Sequence, residues 1–143
     1  MQSNTIIKLL HRILTLTLLT IVIGYLAYQK YYYAAPDDDF YSTQKISEKI
    51  WLYITKYKGG GATVSDVYRY YLDGELGNTP LKHLAEREPF LITDVGDAQV
   101  TGQGNQVNVT VNGRVYSFTN SAAFYVGDEA VMPVINFVAN RVR

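Results

Sequence analysis

The chain has 143 residues, 13 of them basic and 13 acidic, and no cysteine. Without cysteine there is no disulfide, no thiolate metal site and no cysteine nucleophile. Lys8 and Arg12 precede every acidic residue, so the stretch from Lys30 onward carries a net charge of −2, which gives no basic face for nucleic acid.

The run from Ile13 to Tyr28 has no charge. As a helix it would reach about 24 Å, short of a hydrocarbon core of ~30 Å. Ile6, Ile7, Leu9 and Leu10 extend it, while Lys8 and Arg12 can snorkel to the headgroups. The expectation is a transmembrane helix over about residues 6–28, inside an anchor segment 1–33. Cleavage as a signal peptide would put Tyr25 or Tyr33 three residues before the cut, where a small residue is required. The segment therefore reads as an uncleaved signal anchor in a lipid bilayer.

Two features of the anchor read as functional. Lys8 and Arg12 at one end and Tyr25, Tyr28, Tyr31, Tyr32 and Tyr33 at the other suit the two membrane interfaces. Thr17, Thr20, Gly24 and Ala27 follow a 3-4-3 spacing, so they share one stripe of the helix. Small residues let a second helix approach, and threonines can hydrogen-bond across such a contact. The competing reading has each threonine bonded to its own i−4 carbonyl. The basic N-terminal flank favours a cytoplasmic (or matrix) N-terminus and an extracytoplasmic C-terminal domain, with the bacterial inner membrane and periplasm as its setting.

Residues 34–41 read as a linker. Pro36 stops the helix, and Asp37, Asp38 and Asp39 form a solvated spacer. They lack the ligand spacing and turn glycine of a calcium loop. Residues 42–143 read as one small α+β domain. Ile46, Ile50, Tyr53, Ile54 and Tyr57 recur at helical spacing and predict a helix from Ser42 to Lys58. Gly59-Gly60-Gly61 ends it, with no Gly-Lys-Ser/Thr to make a phosphate loop. Thr63 and Asp66 resemble a capping box ahead of Val64, Val67, Tyr68, Tyr71 and Leu72, which predicts a second helix. Asn78-Thr79-Pro80 opens a third, with Leu81, Leu84 and Ala85 inward.

The pattern then turns to strands. Phe90 to Val95 is one candidate and the segment around Val100 another. Gln106 to Asn112 alternates, and Asn112-Gly113 is the favoured dipeptide of a type I′ turn. A hairpin there would pair Val109 with Tyr116 and Val107 with Phe118 on one apolar face. Phe124 to Val126 reads as a short strand. Val131, Val134, Ile135, Val138 and Val142 fit a terminal helix, with a strand nearly as good because the tail is rich in valine.

Three helices followed by a hairpin, from Ser42 to Thr119, is an element order that resembles winged-helix domains. The resemblance is one of order, without a specific motif. It would make Thr79 to Glu88 the recognition helix. Lys82, His83 and Arg87 there are set against Glu86 and Glu88, so the helix is nearly neutral and unsuited to DNA.

Chemistry is sparse. His11 and His83 are the two histidines, too few for a histidine-rich metal site. His83 with Ser65 or Asp66 has no nucleophile elbow behind it. The pairs Asp73/Glu75, Asp94/Asp97 and Asp128/Glu129 sit in turns. No catalytic, metal or cofactor-binding residue is assigned. The expectation is a non-enzymatic, single-pass subunit of a larger membrane assembly, such as bacterial secretion, conjugation or pilus machinery or an organellar complex. Its partners would be other membrane proteins, and some of the 13 tyrosines would cover contacts. The alternative is a tethered sensing or ligand-binding module.

Overall fold

The structure is a computed structural model and describes residues 2–32, 38–59 and 61–140. It divides into two units, 1–35 and 36–143. The first is a single helix, α1 (Gln2–Tyr32). Its segment Ser3–Gln29 is long and apolar enough to cross a membrane, and none of its most apolar stretch is buried.

The second unit is mostly antiparallel β-sheet. It contains β1 (Asp38–Lys45), β2 (Trp51–Tyr57), β3 (Tyr68–Asp73), α2 (Pro80–Leu84), β4 (Leu91–Thr93), β5 (Gln99–Gln103), β6 (Gln106–Val111), β7 (Val115–Phe118), β8 (Phe124–Val126), β9 (Glu129–Val131) and β10 (Val134–Ala139). One sheet has the order β1-β2-β3-β4-β7, a second the order β10-β6-β5, and β8-β9 is a separate hairpin.

Of the three helices expected in this unit, the described residues contain only the one that opens at Pro80. The predicted helix Ser42–Lys58 is instead the β1–β2 hairpin. Its loop closes where Ile46 and Ser47 donate their N–H groups to the Ile50 carbonyl, at 2.8 and 3.1 Å. The second predicted helix is β3, and the Thr63–Asp66 box lies in a loop ahead of it. There the Asp66 carboxylate accepts from Lys56 Nζ at 2.9 Å. The element order is therefore not that of a winged-helix domain. The tail is β9 and β10, a strand rather than a terminal helix. The segment read as a linker contributes residues 38–41 to β1, while 33–37 lie outside the described residues.

The strands β2 and β3 share one reason for resembling helices in sequence. Leu52, Tyr53, Ile54 and Thr55 are consecutive and all buried, as are Tyr70, Tyr71, Leu72 and Asp73. A strand covered on both faces loses its alternation and becomes an apolar run, which helical spacing fits equally well. One face carries Leu52, Ile54, Tyr70 and Leu72 into the main core with Phe90, Leu91, Val107, Val109, Val111 and Ile135, so both sheets share that core. The opposite face carries Tyr53 and Tyr71 into a smaller cluster with Leu84 of α2. The β-branched and aromatic content of β2 and β3 suits such central strands.

The expected Asn112-Gly113 hairpin does not form either. β6 pairs antiparallel with β5, Gln103 opposite Gln106. It pairs in parallel with β10, Ile135 beside Val107. Both its edges are taken, so β7 crosses to the other sheet and pairs with β4, Leu91 opposite Phe118. Gly113 does not have positive φ. Its lack of a side chain permits a close approach instead, since a Cβ there would sit 2.6 Å from Asp94 Oδ1. That oxygen accepts the Arg114 N–H at 2.8 Å. The two-residue turns are Gly104-Asn105 and Gly127-Asp128. Their glycines have φ of +59° and +62°, at the position type II′ turns reserve for glycine. Of the expected patch, Val107 and Val109 are buried and Phe118 packs on the core, but Tyr116 is exposed.

Tyr70 is the largest fully buried side chain. Its hydroxyl donates to the Val95 carbonyl at 2.7 Å and accepts the Ala98 N–H at 3.2 Å. Burial pushes its pKa up to about 12 from 10.0, and burial raises Tyr53 and Tyr71 in the same direction. A raised folded-state pKa means stability that is complete below the unfolded value and is lost as pH climbs through the folded one. Denaturant titrations across pH should therefore show stability falling from about pH 10 toward 12. Tyr70→Phe should lower stability at neutral pH by about 1–3 kcal/mol, because two buried backbone groups lose their partner, and should flatten that alkaline decline.

Candidate functional site

The residues read as packing and interface positions all belong to the N-terminal segment. On α1, Thr17 Oγ1 donates to the Ile13 carbonyl at 2.9 Å and Thr20 Oγ1 to the Leu16 carbonyl at 2.8 Å. Thr15 bonds the His11 carbonyl in the same way at 2.8 Å. The hydroxyl protons of the stripe are thus spent within the helix, leaving oxygen lone pairs and small volume as what it offers a neighbour. A Cβ at Gly24 would meet nothing within 4 Å, and Ala27 is exposed. Lys8, Arg12, Tyr25 and Tyr28 are exposed on the helix, and Gln29 Nε2 donates to the Tyr25 hydroxyl at 3.0 Å. Tyr31 and Tyr32 belong to α1, but their side chains, and Tyr33 entirely, lie outside the described residues.

In the β unit the structure brings together a group that sequence spacing did not. Asp73, at the end of β3, is buried. Its Oδ2 lies 3.0 Å from His83 Nε2 and 3.5 Å from Arg87 Nε. Its Oδ1 accepts the Gly74 N–H at 2.8 Å. Beside it, the Tyr53 hydroxyl donates to the Gly74 carbonyl at 3.0 Å and accepts the Leu76 N–H at 2.9 Å. These contacts pin α2 and the loop before it against β3. His83 is partnered by Asp73 rather than by Asp66 or Ser65. A helical reading of residues 63–72 hid the pair, because it left Asp73 in a glycine turn rather than on a sheet face.

A second buried carboxylate works alike. Asp38, expected in a solvated spacer, has a side chain only 5% exposed and lies 2.6 Å from Arg69 Nη1. Its other oxygen accepts from Thr55 Oγ1 at 2.6 Å. Asp39 is exposed and pairs with Lys58 at 3.0 Å. No buried side-chain polar atom among the described residues lacks a partner. A carboxylate whose lone pairs are filled by its own fold is a positioning and stability element, with little capacity left for a substrate.

Two open grooves lie on the β unit. One, of about 720 Å³, is lined by Phe40, Trp51, Tyr53, Pro80 and Leu81. Lys45 Nζ sits 5.8 Å from the Trp51 ring centroid at its margin. The other, of about 660 Å³, runs past Lys49, Asn105 and Met132 and is bridged by the Lys49–Glu129 ion pair at 2.5 Å. Among the described residues no group of three or more His, Asp or Glu side chains is placed to hold a metal. No protein-family model, curated protein or solved structure matches the chain.

Asp73→Ala should destabilise the β unit by about 1–3 kcal/mol, since it strips His83, Arg87 and the Gly74 N–H of their acceptor. His83→Ala should cost less than about 1 kcal/mol, because its side chain is 49% exposed and exposed pairs contribute little. Chemical denaturation followed by the single tryptophan, Trp51, checks the ranking.

Proposed function

We propose that this protein is a non-enzymatic, membrane-anchored subunit of a larger membrane assembly. The observation that carries this reading is apolar surface with no cover from its own chain. The α1 segment Ser3–Gln29 is exposed throughout its most apolar stretch. The β unit adds Tyr125 at 73%, Met132 at 66%, Val134 at 53% and Val138 at 52% exposure. A helix of that length reaches about 40 Å, enough to cross a bilayer with some tilt. Met132, Val134 and Val138 are close along the chain, and exposed apolar residues that cluster suit a contact surface. The buried polar groups support the same reading, because Asp38 and Asp73 are occupied by internal partners.

In this reading Lys8 and Arg12 hold the cytoplasmic (or matrix) interface, and Tyr25, Tyr28, Tyr31, Tyr32 and Tyr33 the opposite one. The stripe of Thr17, Thr20, Gly24 and Ala27 packs against a partner helix, by shape rather than by donated hydrogen bonds. The β unit lies outside the cytoplasm, as in a bacterial envelope.

One observation favours a second reading, a tethered ligand-binding module. The groove at Trp51 and Tyr53 has the size and aromatic lining of a small-molecule site. Since Trp51 is the single tryptophan, its fluorescence reports occupancy of that groove alone.

Full-length protein extracted from native membranes in mild detergent should bring down a stoichiometric set of other membrane proteins, identified by mass spectrometry. A lone chain, with Trp51 emission that responds to a small ligand, would instead establish the sensing module. Gly24→Ile should reduce that co-purification while leaving the protein in the membrane fraction, because it adds bulk to the packing stripe without removing apolar length.

A further inference from the structure

The sheet β10-β6-β5 ends on one side at β10, and no described strand pairs with its outer edge. Proteins normally guard such edges with charge, bulges, shortness or cover. The other edges of the two larger sheets are guarded. β1 carries Asp38, Asp39 and Lys45 and a bulge between Phe40 and Ser42. β7 has four residues. The outer edge of β5 is approached by Gln44, whose Nε2 donates to the Val100 carbonyl at 3.4 Å. β10 is Val-Ile-Asn-Phe-Val-Ala, six residues with no charge, glycine or proline, paired in unbroken register with β6.

The backbone of β10 is also set for pairing. Val134 N–H donates to the Asn105 carbonyl and Asn140 N–H to the Val111 carbonyl, both at 2.9 Å. Alternate residues of a parallel strand bond the same neighbour. Ile135, Phe137 and Ala139 therefore turn their N–H and C=O groups to the open edge. Val134, Asn136 and Val138 are exposed on the solvent face of the sheet. On that face Asn136 Nδ2 donates to Asn108 Oδ1 at 2.9 Å, so a row of amides runs across the sheet and stops at the edge.

We infer that two copies of this chain associate by antiparallel pairing of β10 with β10, centred on Asn136. Opposite residues of an antiparallel pair share a face. Centring on Asn136 sets Val134 against Val138 of the second copy, Ile135 against Phe137, and Asn136 against itself. Apolar residues meet apolar ones, the amide row continues through the two-fold axis, and no charge meets its own kind. Ile135 and Phe137 then exchange backbone hydrogen bonds. Centring one residue later would set Asn136 against Val138 and break the match.

A single six-residue edge buries less than the ~1,000 Å² of a stable interface between free proteins. Tethering both copies by α1 to one membrane raises their effective concentration and makes so small a contact sufficient. In that respect the inference rests on the membrane-anchored reading above.

The cysteine-free sequence makes the test direct. Full-length Asn136→Cys, Val134→Cys, Val138→Cys and Thr101→Cys are oxidised in native membranes and run on non-reducing gels. Across the axis the Cα atoms at 136 would lie about 4.5 Å apart, within disulfide reach. Those at 134, or at 138, would lie about 14 Å apart. Asn136→Cys should form dimer several-fold above the Thr101→Cys control on β5. Val134→Cys and Val138→Cys should each stay near control alone, and cross-link when co-expressed. Membrane-bound Asn136→Cys that forms no more dimer than the control overturns the inference and leaves the assembly reading standing. Stronger cross-linking of Val134→Cys or Val138→Cys alone overturns the register. Recovery of the chain outside the membrane fraction removes the tether and overturns both.

Discussion

The pairing of β10 with β6 is the constraint on which the rest of the β unit depends. β6 carries Val107, Val109 and Val111, each at most 1% exposed. With β5 on one edge and β10 on the other, it has no place for the strand that follows it. β7 must cross to β4, and that crossing joins the two sheets around one core. Gly113 lets the crossing pass close to Asp94. Gly102 does similar service at the far side, where a Cβ would collide with Ile46 of the β1–β2 loop. The stacked rings of Phe118 and Phe137, 4.2 Å between centroids, join the two sheets through side chains packed on the shared core.

On the other face of the large sheet the logic is polar as well as apolar. Tyr53 and Tyr71 bury their rings under Leu84, and α2 is too short to hold itself. A helix of five residues has almost no intrinsic stability. It persists because Leu84 is buried and because His83 and Arg87 reach the Asp73 carboxylate. The Tyr53 and Tyr70 phenols bond backbone groups and the Tyr71 phenol bonds the Thr55 side chain, so each of these polar insertions into the core has an internal partner.

The two units differ in how they meet solvent. The β unit satisfies its backbone by strand pairing and keeps its apolar residues mostly inside. The α1 helix satisfies its backbone internally and keeps its apolar residues outside, a combination suited to lipid. Among the apolar residues the domain leaves uncovered, Met132, Val134 and Val138 lie on and just before β10.

The sequence alone determined the apolar N-terminal helix, the strands Leu91–Thr93, Gln99–Gln103, Gln106–Val111 and Phe124–Val126 in outline, and the helix at Pro80. Each is local. A charge-free run of helical length, a period of two or a proline at a helix start depends only on neighbours in the chain. Only the tertiary structure decided that β2 and β3 are strands, since burial on both faces erased their alternation. It alone decided that β6 rejects β7, because the edge β7 would need is filled by a segment far along the chain. It alone brought Asp73 to His83 and Asp38 to Arg69. Sequence pattern reports which face of an element is apolar. Which element fills each edge of a strand, and which cation reaches a buried carboxylate, is set by competition among distant segments that no local window contains.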